Sequence, residues 1–143
     1  VTSLEHLVEP LSGALAALTE DESLIISRPG SLDPTLTDGS NRFVQFTRFG
    51  SDLRAESVGD RYLEGADQLT PDQVTVLLEL GWETPDEGGN YWGQWEEPVP
   101  LGMVAAMAVR TLQLVHGVEH IEQLDIDGSP EITRTFRDAP GAM

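Results

Sequence analysis

Residues 116–120 read His116-Gly117-Val118-Glu119-His120, the H-x-x-E-H order of one group of zinc peptidases. On a helix, two imidazoles four residues apart share a face and can grip one cation. The glutamate between them can then act as base toward a metal-bound water. Three features count against that chemistry. Gly117 sits where the helix should be firm, the segment lies at the end of the longest helical pattern, and no acidic helix further on is set to supply a third ligand. Histidine near a helix C-terminus is in any case favoured by the helix dipole. A zinc-dependent hydrolase built on His116, Glu119 and His120 is therefore kept only as a rival. The expectation is a non-enzyme with no metal, no cofactor and no catalytic residues.

The other candidate chemistries are weaker. Asp125-Ile126-Asp127-Gly128 opens like a calcium loop, but its glycine falls two places early and a third Asp or Asn is missing, so a turn or strand end is expected. No G-x-S-x-G elbow and no glycine-rich phosphate loop occurs. With 25 acidic residues in 143, any one pair of carboxylates is uninformative. Arg54 and Glu56 read as a surface pair of little energy, and His6 lies on the polar flank of the first helix.

Binding chemistry has a better claim. All three tryptophans and one of the two tyrosines fall between positions 82 and 95, among Gly, Pro, Asp and Glu. Large aromatics with a polar handle give wide contact area at low entropic cost, which suits a binding surface or a lid over a small core. Trp82 follows a helix end and is expected to be buried. Tyr91, Trp92 and Trp95, together with Phe43, Gln45 and Thr47 on a neighbouring strand, are the candidate peptide-binding residues.

Composition narrows the partners. A net charge of −17 argues against nucleic acid and against an anionic membrane face. All eight basic residues are Arg. The absence of cysteine removes disulfides and thiolate chemistry and fits a cytoplasmic protein. The N-terminal residues lack the basic-then-apolar order of a secretory signal. The apolar run 101–118 is interrupted by Arg110, Thr111 and Gln113, too short and polar to span a bilayer.

The elements that must position these residues follow from spacing. Thr2-x-x-Glu5 suggests a capping box opening a helix to about residue 18, with Pro10 kinking it or marking a short early turn. Leu24-Ile25-Ile26 marks a strand over 22–28, ended by Pro29-Gly30, and 31–40 reads as loop. Strands 43–49 and 53–58 flank Gly50-Ser51, a two-residue hairpin turn that pairs Phe49 with Asp52, Thr47 with Arg54 and Gln45 with Glu56. Val44, Phe46, Leu53 and Ala55 then face a core, and the opposite face carries Gln45, Thr47, Arg54 and Glu56, flanked by Phe43 and Val58. Thr70-Pro71-x-Gln73 starts a second helix, with Val74, Leu77, Leu78 and Leu80 inward and Gly81 as its left-handed stop. Residues 91–95 form a further strand. Residues 101–118 form the longest helix, whose stripe is Leu101, Val104, Ala105, Ala108, Leu112 and Val115. Met103, Met107 and Leu114 lie off that stripe, and a helix apolar on two sides needs two partners, so they are the candidate interface of a homodimer. Leu124-Asp125-Ile126 suggests an edge strand, and the chain beyond Pro130 reads as loose.

This order, with Phe43-Val44-Gln45-Phe46, Glu56-Ser57-Val58-Gly59-Asp60-Arg61-Tyr62-Leu63, Leu80-Gly81-Trp82-x-x-Pro85 and Asn90-Tyr91-Trp92, resembles the actinobacterial relatives of the YbjN and type III secretion chaperone (CesT-like) superfamily, the peptide-binding chaperone domains. The resemblance covers about residues 4–118. It implies an α+β fold with a twisted antiparallel sheet and helices packed largely on one side, often as a homodimer. It also implies non-catalytic binding of a protein segment. The expected organisation is one domain over 1–120 and a polar, loosely ordered extension over 121–143. Its client would be a protein or peptide segment, anchored by Phe43, Trp92 and Trp95 and selected for basic flanks by an acidic rim. A structural or regulatory dimer without a client is the remaining rival.

Overall fold

The apolar residues of this chain alternate in some stretches and recur at helical spacing in others, and either pattern buries one face of its element. A computed structural model describes residues 2–28, 42–59, 63, 68–85 and 89–138. The expected stop at Pro29-Gly30, the 31–40 loop and residues 60–62 of the family-like stretch lie outside the described residues. Helix α1 (Val8–Ala17) is followed by strands β1 (Ser23–Arg28), β2 (Arg42–Phe49) and β3 (Asp52–Ser57). Then come α2 (Pro71–Leu80), β4 (Tyr91–Trp95), α3 (Leu101–Leu114), β5 (Asp125–Asp127) and α4 (Pro130–Asp138). The five strands form one antiparallel sheet in the order β4-β3-β2-β1-β5. The fold is therefore α+β. On β2 the even-numbered residues Val44 and Phe46 are fully buried beneath the helices, as are Leu24 and Ile26 of β1 and Leu53 of β3. Helices α1 and α3 pack on each other over this face, with α2 beside α3 and α4 beside α1.

The hairpin forms in the expected register, Gln45 opposite Glu56 and Phe49 opposite Asp52, with Gly50 at φ 58 in the turn. Its short connection leaves no slack for a slip, which would turn every side chain to the other face. Val58, expected at the margin of the outer face, is instead fully buried, and its N–H donates to the Phe43 carbonyl at 3.1 Å. Helix α2 is capped as its sequence demands. The Thr70 hydroxyl accepts from the Gln73 N–H at 3.1 Å, the Gln73 side chain accepts from the Thr70 N–H at 3.0 Å, and Gly81 closes the helix at φ 110.

Four expectations change. The Thr2–Glu5 capping box does not form, because the Thr2 N–H donates to the Glu122 carboxylate at 2.8 and 3.1 Å. A 3-10 turn (Leu4–Leu7) precedes α1 instead, and Pro10 falls in the first turn of α1, where its missing N–H costs no hydrogen bond. Leu78 is 45% exposed, since α2 lies at the margin of the helical layer and buries only Leu77 fully. Helix α3 stops at Leu114 rather than 118. Gly117 takes φ 70, a conformation that costs glycine no steric strain, and the chain folds back so that the Val118 N–H reaches the Leu112 carbonyl at 2.9 Å. The edge strand expected near 124–126 forms as β5, and within the extension expected to be loose the chain from Pro130 forms a helix. β5 pairs with β1 through Ile25↔Asp127 and Ser27↔Asp125, Ser129 caps α4 by accepting from the Ile132 N–H at 3.3 Å, and Ile132 is buried in the core.

Two buried arginines on the covered face of β2 bind the helical layer to the sheet. Arg42 donates to the Val115 carbonyl at the end of α3 (3.0 Å), and Arg48 donates to the Leu15 carbonyl in the last turn of α1 (3.2 Å). Each places a cation at a helix C-terminus, where unpaired carbonyls and the helix dipole favour it. Because the two arginines stand at opposite ends of β2, α1 and α3 cross the sheet in opposite senses.

Candidate functional site

Side chains alternate across a strand, so the face of the sheet turned away from the helices is read off residue by residue. One row runs Asp127, Ile25, Gln45, Glu56, Trp92 from β5 to β4, and the next runs Ser23, Thr47, Arg54, Gln94. Phe43 and Ser27 stand beyond the first row, Phe49 and Asp52 beyond the second. Trp92, Gln45 and Thr47 are half-buried, and Phe49 is 50% exposed. The Trp92 indole is fixed in place by its N–H, which donates to the Thr84 carbonyl at 3.0 Å. Arg54 stacks on that indole, 4.9 Å from the ring centroid, and its Nε lies 3.9 Å from the Glu56 carboxylate. Across the same surface the Gln94 amide donates to Asp52 at 3.2 Å, and the Ser23 and Thr47 hydroxyls are 3.2 Å apart.

Of the six residues expected to bind peptide, the sheet brings Phe43, Gln45, Thr47 and Trp92 together on this open face. Tyr91 and Trp95 are turned to the other side. They are opposite Ser57 and Leu53, which are buried under the helices, and Tyr91 itself is buried. The reason is the two-residue period of a strand: within 91–95, only positions 92 and 94 can share a face with Gln45. Trp95 lies over Gly93, where a Cβ would come within 2.8 Å of its ring, so a glycine is what admits the indole. The spacing put Arg54 on this face but did not give its stacking on Trp92, and it did not place Ile25 or Phe49 there. Ile25 was hidden in the apolar run 24–26, although its cross-strand partner Gln45 was on the expected face. Trp82 is buried as expected, its indole N–H donating to Thr111 Oγ at 2.8 Å, and that hydroxyl in turn donating to the Met107 carbonyl at 2.7 Å.

The candidate dimer residues divide as well. Met103 and Leu114 are each 51% exposed on the outer side of α3. Met107 is buried, its sulfur close to Gly81 at the end of α2, because α2 covers the flank of α3 that the helical wheel left open.

Residues 116–120 do not form a helix, so the spacing of His116 and His120 does not place them on one helical face. His116 is 1% exposed and points inward, where its Nε2 lies 2.9 Å from Ser57 Oγ. Burial, followed by the charges of Arg42 and Arg28, lowers its pKa to about 3, so the imidazole is neutral at physiological pH. His120 is partly exposed at the start of a short 3-10 turn. Among the described residues no three His, Cys, Asp or Glu side chains are grouped to hold a metal ion. The Ser57–His116 pair has a nucleophile–base look, but both groups are sealed in the core and His116 Nδ1 has no orienting partner among the described residues. It reads as a structural pair joining the end of β3 to the turn after α3.

No helix among the described residues is long and apolar enough to cross a membrane. No curated protein and no solved structure matches the chain. A family model described as T3SS (YopN, CesT) and YbjN peptide-binding chaperone 3 matches residues 5–130, a span that takes in every element from α1 to β5. With that match over most of the chain, and with an antiparallel sheet covered by helices on one side, this protein belongs to the T3SS and YbjN peptide-binding chaperone family.

Proposed function

We propose that this protein is a binding module without catalysis, which holds an extended segment of a client protein across the open face of its sheet. The observation that carries the reading is the unequal treatment of the two faces. One is roofed by helices. The other turns Ile25, Phe43, Phe49 and Trp92 outward among polar groups, apolar anchors set in a polar surround as at other peptide-binding surfaces. Membership of a peptide-binding chaperone family supports it. The carboxylates of Asp52, Glu56, Asp125 and Asp127 on the same face favour a client with basic flanks. A cytoplasmic setting suits a chain without cysteine. Two copies would associate through the outer side of α3, where Met103 and Leu114 are exposed.

The test is site-specific photo-crosslinking in extract of the native cell, with the reactive group placed at Gln45 or Thr47 on the open face and at Glu79 on α2 as control. The expected result is one discrete client segment joined to the first two positions and absent from the third. A synthetic peptide of that segment should then lose about 2 kcal/mol of affinity for Trp92→Ala, the usual scale of an aromatic anchor. Indiscriminate adducts at all three positions would remove the reading.

A further inference from the structure

The open face carries, among the described residues, four carboxylates and one cation, and that cation is already seated. Arg54 lies with its guanidinium 4.9 Å from the centre of the Trp92 ring and its Nε 3.9 Å from Glu56. The ring is held from behind by its hydrogen bond to the Thr84 carbonyl, and Glu56 stands directly opposite Trp92 across the β3–β4 pair. An indole face with a carboxylate beside it is the arrangement that recognises a guanidinium or ammonium group. Here the chain's own arginine occupies it. The Arg54 and Glu56 side chains keep 20% and 22% of their surface in solvent, so the stack has an open edge from which a second guanidinium can approach the ring.

We propose that the Trp92–Glu56 cradle is a binding site for an arginine side chain of a client, and that Arg54 is an internal stand-in which such a side chain displaces. The inference rests on the open face being the client surface and adds the chemistry of one client residue. Displacement replaces one guanidinium by another on the ring, so the contact is lost by Arg54 as it is gained by the client. Freed, Arg54 can swing toward Asp52, its neighbour on the open face of β3. The acidic face then draws a basic segment in and the cradle decides which residue of it is anchored. A cradle held shut by its own arginine binds isolated cations weakly, and only a segment with further contacts along the face displaces it well.

The test needs no client. A blocked tripeptide, acetyl-Gly-Arg-Gly-amide, is titrated into the full chain while the indole N–H resonance of Trp92, assigned by its loss in Trp92→Phe, is followed by NMR. Arg54→Ala should bind the tripeptide roughly fivefold to tenfold more tightly than the wild type, the worth of one partly exposed cation–π contact with its neighbouring carboxylate. Adding Glu56→Gln should abolish most of the gain, and a tripeptide with norvaline in place of arginine should shift nothing. Arg54→Gln, which keeps a polar group on the strand, should repeat the gain and guards against misfolding of the alanine variant. Equal or weaker binding by both Arg54 variants, or a gain indifferent to Glu56, would overturn the proposal. Because the probe is a free tripeptide, that failure is separate from failure of the client reading, which the crosslinking decides.

Discussion

Lowering the pH should destabilise this protein through one buried imidazole. His116 has a pKa of about 3 in the fold against an ordinary 6.5, chiefly because it is buried and also because Arg42 and Arg28 are near. The unfolded chain therefore takes up the proton first. The contribution of His116 to stability is fully present above pH 6.5 and is lost as the pH falls from there toward 3. At pH 5 the gap amounts to 1.5 of the 3.5 pH intervals between the two values, or about 2 kcal/mol at ~1.36 kcal/mol for each. Below pH 3 the full loss would reach about 5 kcal/mol. Urea unfolding followed by the emission of buried Trp82 measures it at pH 7.5 and pH 5.0. The comparison is between wild type and His116→Gln, which cannot titrate but can still bond to Ser57. The glutamine chain starts less stable, and what counts is the slope: the wild type should lose about 2 kcal/mol more than the variant over the interval. The 25 acidic groups and the other two histidines are common to both chains and cancel. Parallel pH dependences would refute the account and mean that His116 is solvated or paired in a way its burial does not suggest.

Three further outcomes follow from packing. Ile132→Ala should cost about 3 kcal/mol, the scale of a truncated core aliphatic, because α4 is part of the core; a loss under 0.5 kcal/mol in chemical denaturation would restore the loose tail. Gly93→Ala should destabilise by about 1–3 kcal/mol and red-shift tryptophan emission, since its Cβ would press on Trp95 at 2.8 Å; an unchanged melting temperature would show that the ring moves aside freely. Light scattering at micromolar concentration should report a dimer that Met103→Glu and Leu114→Glu convert to monomer with little change in melting temperature, whereas Met107→Glu should unfold the chain by burying a charge; a wild-type monomer would remove the interface.

The buried polar groups share one layout. Arg42, Arg48, Thr111, Ser57 and His116 lie between sheet and helices, and each has a named partner on another part of the structure or on the neighbouring turn. Removing one side of such a contact strands the other in a dry interior at about 1–3 kcal/mol, so these groups constrain how the helical layer sits on the sheet. Among the described residues, the helices pack on that one face of the sheet.

What the sequence determined by itself is local. The Thr70–Gln73 cap, the Gly81 stop, the Gly50-Ser51 turn with its register, and the strand 91–95 are each set by residues within a few positions of one another, and all four stand in the structure. The family resemblance rode on the same local landmarks. The tertiary structure decided everything that depends on which surface meets which. Tyr91 and Trp95 turned to the helical side of the sheet and Trp92 to the other once β4 paired with β3, since pairing fixes which parity of a strand faces the helices. Met107 left the presumed interface because α2 came to rest beside it, and Thr2 gave up its local cap for Glu122, 120 residues away. His116, part of a metal motif when read in line, became a buried neutral partner of Ser57, 59 residues earlier. A periodic pattern says that a face will be covered; only the folded chain says by what, because burial is a property of contacts between distant segments and not of any one segment's composition.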